Sequence, residues 1–124
     1  MPNMQVTATV IGTPNPQRLA DFYQSLLEWN RLDNKPGWVK LQPSSGGPCL
    51  SFQYEASFTP PEWPAVAGAQ HMMMHLDIAA NDLEAAVSRA EELGARRADY
   101  QPQSHVRVML DPDGHPFCLF TRGS

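Results

Sequence analysis

Apolar and polar residues alternate with two different periods along the chain, and the changes of period outline its elements. Residues 5–12 are β-branched and apolar, which predicts a strand. Asn15 and Pro16 suit the cap and first position of a helix, and apolar residues follow at helical spacing over 19–27. Three further strands are predicted in this half, over 30–33, 38–41 and 48–54.

The same order of elements begins again after a stretch rich in Pro, Ala and Gly. A strand predicted over 71–79 leads into a second helix, which Asn81 caps with Glu84 as its capping-box partner and Gly94 ends. The other predicted features are strands over 96–99, 105–110 and 116–121 and an Asp-Pro-Asp-Gly turn over 111–114.

Matching features of the two halves lie at a nearly constant separation. Asn15 and Asn81 are 81 − 15 = 66 residues apart, and Ser51 and Cys118 are 118 − 51 = 67 apart. One half alone is too small to close a core. We therefore expect an α+β fold of two βαβββ repeats that form a cup-shaped mixed sheet with helices on its outer face. The expected single domain, 1–124, divides into repeat one at about 4–56, a linker at about 57–69 and repeat two at about 70–122.

Charge and composition narrow the range of functions. The formal net charge is −4, and the basic residues are scattered, which argues against a nucleic-acid-binding face. No apolar run is long enough to span a membrane, and residues 1–6 lack the features of a signal peptide. Two cysteines without a disulfide framework suit a reducing compartment. A cytoplasmic protein that contacts neither nucleic acid nor membrane is expected.

Three segments resemble the vicinal oxygen chelate superfamily, and the resemblance covers nearly the whole chain. They are Asn-Pro-x-x-Leu-Ala-x-Phe-Tyr at 15–23, His-Leu-Asp-Ile-Ala at 75–79 and Asp-Pro-Asp-Gly-His-Pro-Phe at 111–117. Glyoxalase-like and bleomycin-resistance-like proteins are the most similar members. The resemblance implies the doubled fold, a homodimer, and either ligand binding or a lyase or oxidoreductase activity. It supports the fold better than any one reaction.

Strand alternation divides the side chains between the helix side of each sheet and the pocket side. Met72 and Met74, and likewise Val106 and Val108, are expected under the second helix. The expected pocket residues are Trp38, Lys40, Ser51, Gln53, Met73, His75, Arg107, Cys118 and Phe120. His75 and Asp77 form the candidate catalytic pair, with the carboxylate orienting the imidazole as a general base.

The resemblance also implies four metal-ligand positions, which fall on Ala8, Ser51, His75 and Cys118. Ala8 has no donor atom and a serine hydroxyl is a poor zinc ligand, so Ala8 and Ser51 replace two of the usual ligands. Asp77 could add a third donor beside His75 and Cys118. The four positions themselves supply only two good ligands, whereas catalytic zinc usually takes three protein ligands and water, so no cofactor and no metal of the usual kind are expected.

Three functions stay open at this point. The first is a binding protein or cofactor-free enzyme for a small, partly apolar organic molecule, for which Lys40 and Arg107 favour an anionic group. The second is a metal-dependent lyase or dioxygenase, and the third is an antibiotic-sequestering protein. Cys118 could also act as a nucleophile, and Trp63 could cover the pocket or contact a partner.

Overall fold

The computed structural model describes residues 2–122. The chain forms two compact units, and the boundary between them in the sequence falls between Phe58 and Thr59. Residue 1, which is part of the segment considered as a signal peptide, and residues 123–124 lie outside this range. No helix among residues 2–122 has both the length and the apolar character needed to cross a membrane.

Each unit contains one helix and one four-stranded sheet. The first unit consists of β1 (Ala8–Thr13), α1 (Pro16–Leu27), β2 (Asn30–Lys35), β3 (Trp38–Gln42) and β4 (Cys49–Tyr54). The second consists of β5 (Leu76–Ala80), α2 (Leu83–Glu92), β6 (Arg96–Arg97), β7 (Val106–Leu110) and β8 (Pro116–Thr121). The α+β class and the repeated βαβββ order are confirmed.

The two sheets have the same topology. Their strand orders are β1-β4-β3-β2 and β5-β8-β7-β6, and in each sheet the first strand runs parallel to its neighbour. Val10 pairs with Ser51 in one sheet, and Asp77 pairs with Cys118 in the other. Both members of the second pair lie 67 residues after those of the first (77 − 10 and 118 − 51), so the repeat extends to the strand register.

Helix α1 covers one face of the first sheet. Asn15 caps the helix by accepting a hydrogen bond from the Arg18 backbone N–H at 3.1 Å, as its sequence predicts. Leu19 of the helix is fully buried, and the Tyr23 ring stacks on Phe52 of β4 with ring centroids 5.7 Å apart. This contact fixes which face of β4 belongs to the core.

Helix α2 begins one residue later than predicted. Its cap is Asp82, whose side chain accepts a hydrogen bond from the Ala85 backbone N–H at 3.1 Å, and not Asn81. The separation from Asn15 is then 82 − 15 = 67 residues, the same as that between the paired strands. Glu84 is not a capping-box partner of Asn81, because its carboxylate pairs with arginines outside the helix.

The strand predicted over 71–79 is shorter than expected at its start. β5 begins at Leu76, because the backbone before it pairs with the linker: His71 bridges Glu62, and the Met72 N–H donates to the Glu62 carbonyl. Met73 and Met74 are 84% and 80% exposed. The predicted position of Met74 under the helix is therefore wrong, and Met73, which lies before β5, stays a pocket prediction.

The side chains of β7 lie on the opposite faces of the sheet from those predicted. Val108 pairs with Cys118, whereas Arg107 pairs with the buried Leu119 and reaches Glu84 of α2, Nη2 to Oε2, at 3.7 Å. Arg107 therefore lies on the helix face of the sheet instead of the pocket face. A shift of one residue exchanges the two faces of a strand, and the long apolar stem of arginine lets it replace a hydrophobic residue near a helix.

The Asp-Pro-Asp-Gly segment forms the predicted turn around one buried carboxylate. Asp111 is fully buried and accepts hydrogen bonds from the backbone N–H groups of Asp113 and His115, each at 3.0 Å. The His115 ring Nδ1 lies 2.9 Å from the same carboxylate. Gly114 has a φ of 98°, which a side chain would strain. The turn thus brings β8 back beside β7.

Replacing Asp82 with alanine tests the corrected position of the helix cap. We expect Asp82→Ala to lower the free energy of unfolding by about 1 kcal/mol, because the Ala85 N–H loses its acceptor. Asn81→Ala is the matched control and is expected to change stability by less than about 0.5 kcal/mol. Urea unfolding followed by circular dichroism measures both. A larger loss for Asn81→Ala would return the cap to the position predicted from sequence.

Candidate functional site

The second unit brings three chemically different side chains together at the start of its sheet. Asp77 lies on β5 directly beside Cys118 of β8, and His75 is two residues before Asp77 on the same side of the chain. His75 Nε2 is 3.0 Å from Asp77 Oδ1. One potential ligand atom from each of the three residues lies within 4.8 Å of the other two. The predicted pair of His75 and Asp77 is therefore in contact, and Cys118 belongs to the same cluster.

Cys118 is a buried, protonated thiol. Burial, the neighbouring charge of Asp77 and a hydrogen bond to Asp77 together raise its pKa from 9.0 to about 11, and burial is the largest of the three causes. Since the reactive form of cysteine is the thiolate, this environment does not favour the nucleophilic role considered from sequence. The thiol instead donates a hydrogen bond to Asp77.

Asp77 differs from its two partners in exposure. Its side chain is 62% exposed, whereas that of His75 is 26% exposed and Cys118 is buried. An ionised carboxylate has about four acceptor positions. Asp77 can therefore hold His75 and Cys118 while it offers an oxygen lone pair to a molecule arriving from solvent.

One aromatic ring covers His75, and a second ring packs against the first. The Trp63 ring stacks on the imidazole with centroids 4.8 Å apart and planes inclined by 28°. Tyr100 packs edge-on against Trp63, at 5.6 Å and 64°. Of the two alternatives for Trp63, this contact favours a cover over the site. Sequence reasoning missed Tyr100, because it lies in the irregular segment between β6 and β7, where no periodicity reports its direction.

In the first unit, the predicted pocket residues share the sheet face opposite α1. Trp38 pairs with Gln53 and Lys40 pairs with Ser51, while the intervening residues form the core under α1. Ser51 is fully buried, and its hydroxyl has no hydrogen-bond partner among residues 2–122. These residues stay pocket predictions. The register of β3 and β4 shows that they share one face of the sheet.

In the second unit, Phe120 is half-buried and lies on the Cys118 face, as predicted, because it is two residues further along β8. Val106 and Val108 occupy the positions on this face that Arg107 was expected to share. The surroundings of Cys118 on β7 are thus apolar and carry no positive charge.

The four metal-ligand positions implied by the resemblance do not form a complete ligand set. Ala8 has no donor, and Ser51 supplies only a hydroxyl. His75 and Cys118 remain, and the structure adds Asp77, which lies outside those four positions. The four-ligand centre therefore does not fit this chain, although the second unit holds three donors of its own.

Comparisons with known proteins agree with this architecture. The sequence profile of the glyoxalase-like domain family matches residues 8–120. A search of curated proteins finds none that matches the chain.

Solved structures similar to the chain include several with low sequence identity. A glyoxalase/bleomycin resistance protein/dioxygenase family enzyme from Burkholderia phytofirmans PsJN is 14% identical over 93% of this chain and 96% of its own, with a TM-score of 0.71. A glyoxalase-related enzyme from Fulvimarina pelagi is 18% identical over 97% and 89%, with a TM-score of 0.69. The fosfomycin resistance protein FosX from Listeria monocytogenes, solved with Mn(II) and a dihydroxypropylphosphonic acid, is 11% identical over 94% and 88%, with a TM-score of 0.70.

At these identities the structural likeness shows the fold alone, while the family profile extends over nearly the whole chain. The profile identifies the chain as a member of the glyoxalase-like domain family.

Proposed function

We propose that this glyoxalase-like protein binds a small organic molecule at the His75–Asp77–Cys118 cluster of its second unit, without the four-ligand metal centre implied by the resemblance. The observation that carries the proposal is the exposed carboxylate of Asp77, held by two less exposed partners beside aromatic rings. A few convergent polar groups beside apolar surface are typical of small-molecule sites.

The charge of this cluster favours a ligand with a hydrogen-bond donor or a positive group. Asp77 supplies a negative charge that solvent reaches, and Arg107 is engaged by Glu84 on the other face of the sheet. This removes one of the two basic residues that favoured an anionic ligand. Lys40 lies on the first unit and stays a prediction as a pocket residue.

The aromatic rings favour a ligand with a flat apolar part. Trp63 is half-buried and Tyr100 is 37% exposed, so part of this aromatic surface is open to solvent. Offset or edge-on packing between aromatic rings contributes about 0.5–1.5 kcal/mol beyond the area it buries. A ring that packs here can place its polar substituent next to Asp77.

The contact between His75 and Asp77 also supports a proton-transfer role. A carboxylate bonded to one ring nitrogen fixes the orientation and tautomer of the imidazole. The pair is then suited to accept a proton from a bound molecule, which is general-base chemistry that requires no metal.

Benzylamine and benzoate test the charge preference, because they share a ring and carry opposite charges. We expect benzylamine to bind up to about fivefold more tightly than benzoate, since an exposed ion pair contributes at most about 1 kcal/mol. Isothermal titration calorimetry on chelator-treated protein measures both affinities. Asp77→Asn is expected to remove the preference.

Asp21→Asn is the matched control for this experiment, because it removes the same charge from α1 of the first unit. It is expected to keep the preference for benzylamine. Tighter binding of benzoate, absence of binding by both compounds, or an unchanged preference in Asp77→Asn would contradict the proposed site.

Replacing Trp63 with leucine tests the aromatic part of the site. We expect Trp63→Leu to weaken benzylamine binding by about threefold to tenfold, because ring packing is lost while the carboxylate remains. Trp29→Leu, which removes an indole from the connection between α1 and β2, is the control and is expected to bind normally. Equal weakening in both variants would place the ligand elsewhere.

A further inference from the structure

We propose that Gln101 is a positioning residue for the site in the second unit. Its side chain fixes the 98–105 segment, which connects β6 to β7 and carries Tyr100. The Tyr100 ring packs against Trp63, and Trp63 covers His75. The inference rests on the proposed function, since it concerns how that same site is held. Three hydrogen bonds from one side-chain amide to the backbone carry it.

The Gln101 amide occupies a place in the ladder between β6 and β7. Arg97 pairs with Met109, so the next pair along the two strands is Ala98 with Val108. The Ala98 N–H donates to the Val108 carbonyl at 3.0 Å, as antiparallel pairing requires. The return connection runs through the amide. The Val108 N–H donates to Gln101 Oε1 at 3.0 Å, and Gln101 Nε2 donates to the Ala98 carbonyl at 2.9 Å.

The same amide satisfies both backbone groups of Val108. Gln101 Nε2 also donates to the Val108 carbonyl, at 2.8 Å, so the amide makes two donor bonds and one acceptor bond. Val108 is 2% exposed, and a buried backbone N–H without a partner is costly. A neutral amide supplies donors and an acceptor together, whereas a thioether is only a weak acceptor. Glutamine therefore fits this place, and methionine of similar length does not.

The inserted amide ends β6 after two residues and turns the chain away from β7. Tyr100 lies in this turn, directly before Gln101, and its ring packs edge-on against Trp63 with centroids 5.6 Å apart. Trp63 in turn stacks on the His75 imidazole at 4.8 Å. A continuous series of contacts thus leads from the edge of the sheet to the imidazole of the site.

Tyr100 limits the freedom of the Trp63 ring. Trp63 belongs to the irregular chain before β5 and is only half-buried, so the sheet alone does not fix its side-chain rotamer. Side chains already held in their bound arrangement lose less conformational freedom when a ligand arrives. Because the Gln101 amide is bonded to backbone groups, it acts on the site only through these rings.

Gln101→Met tests the positioning role, because it keeps the length of the side chain and removes the amide. We expect the Val108 N–H to pair directly with the backbone carbonyl opposite it, which lengthens β6 and draws Tyr100 away from Trp63. Nuclear Overhauser cross-peaks between the rings of Tyr100 and Trp63 should be lost, and those between Trp63 and His75 should weaken. These cross-peaks are measured on labelled protein without added ligand.

Gln103→Met is the matched control, because it makes the same substitution at an exposed side chain of the same segment. It is expected to keep both sets of cross-peaks and to bind benzylamine normally. Gln101→Met is expected to bind benzylamine about twofold to fourfold more weakly than the wild-type protein, since an edge-on ring contact is lost. Circular dichroism of each variant reports whether the fold is retained.

Tyr100→Leu separates an effect on the site from a general loss of stability. It removes the ring and leaves the Gln101 amide in place, and it should weaken the cross-peaks between Trp63 and His75 by itself. Adding Gln101→Met to this variant should lower stability further without changing those cross-peaks, because the two changes act on the site through one contact.

Three results would overturn the positioning role. They are Tyr100–Trp63 cross-peaks that persist in Gln101→Met, equal losses in Gln101→Met and Gln103→Met, and Trp63–His75 cross-peaks that Tyr100→Leu leaves unchanged. The last result applies even if Gln101→Met does not fold. Since all of these cross-peaks are recorded without benzylamine, they decide the positioning role separately from the proposed function, which the affinity of the wild-type protein decides.

Discussion

The pairing of β5 with β8 is the constraint on which the chemistry of the second unit depends. Parallel strands place register partners on the same face, so the pairing of Asp77 with Cys118 decides that a carboxylate and a thiol meet. The same alternation sends the neighbouring residues of β8 beneath α2, and His75, just before β5, joins that face through its contact with Asp77. A slip of one residue would turn Asp77 towards the helix and separate it from Cys118.

The two repeats use one backbone plan with different side-chain chemistry. At the equivalent register positions, the first unit pairs Val10 with Ser51, and the second pairs Asp77 with Cys118. A buried serine hydroxyl and an apolar side chain offer little to a ligand or an ion. The second unit instead holds an acceptor, a donor and an imidazole beside two aromatic rings. The doubled fold is thus conserved within the chain while the reactive groups are concentrated in one half.

Local patterns predicted most of the fold because each had one physical solution. Asn15 before Pro16 has a single favourable helical arrangement, and the Asp-Pro-Asp-Gly turn needs the freedom of Gly114. The second helix cap was ambiguous, because both Asn81 and Asp82 are good capping residues and only the strand geometry chooses between them.

The parts of the site that sequence could not predict depend on contacts between distant segments. Arg107 lies on a strand with apolar residues on both faces, so alternation assigned it to the wrong face, and its ion pair with Glu84 shows the correct one. Met73 and Met74 were assigned to a strand that the pairing of His71 with Glu62 prevents. Tyr100 had no pattern at all. The homodimer and the cytoplasmic location stay predictions.

Nuclear Overhauser contacts measured on labelled protein test the central claim most directly, since they report the face on which each β5 and β8 side chain lies. The account predicts cross-peaks between the β-protons of Asp77 and Cys118, and between the ring protons of Trp63 and His75. Cross-peaks from Asp77 to Val87 of α2, together with none between Asp77 and Cys118, would contradict it.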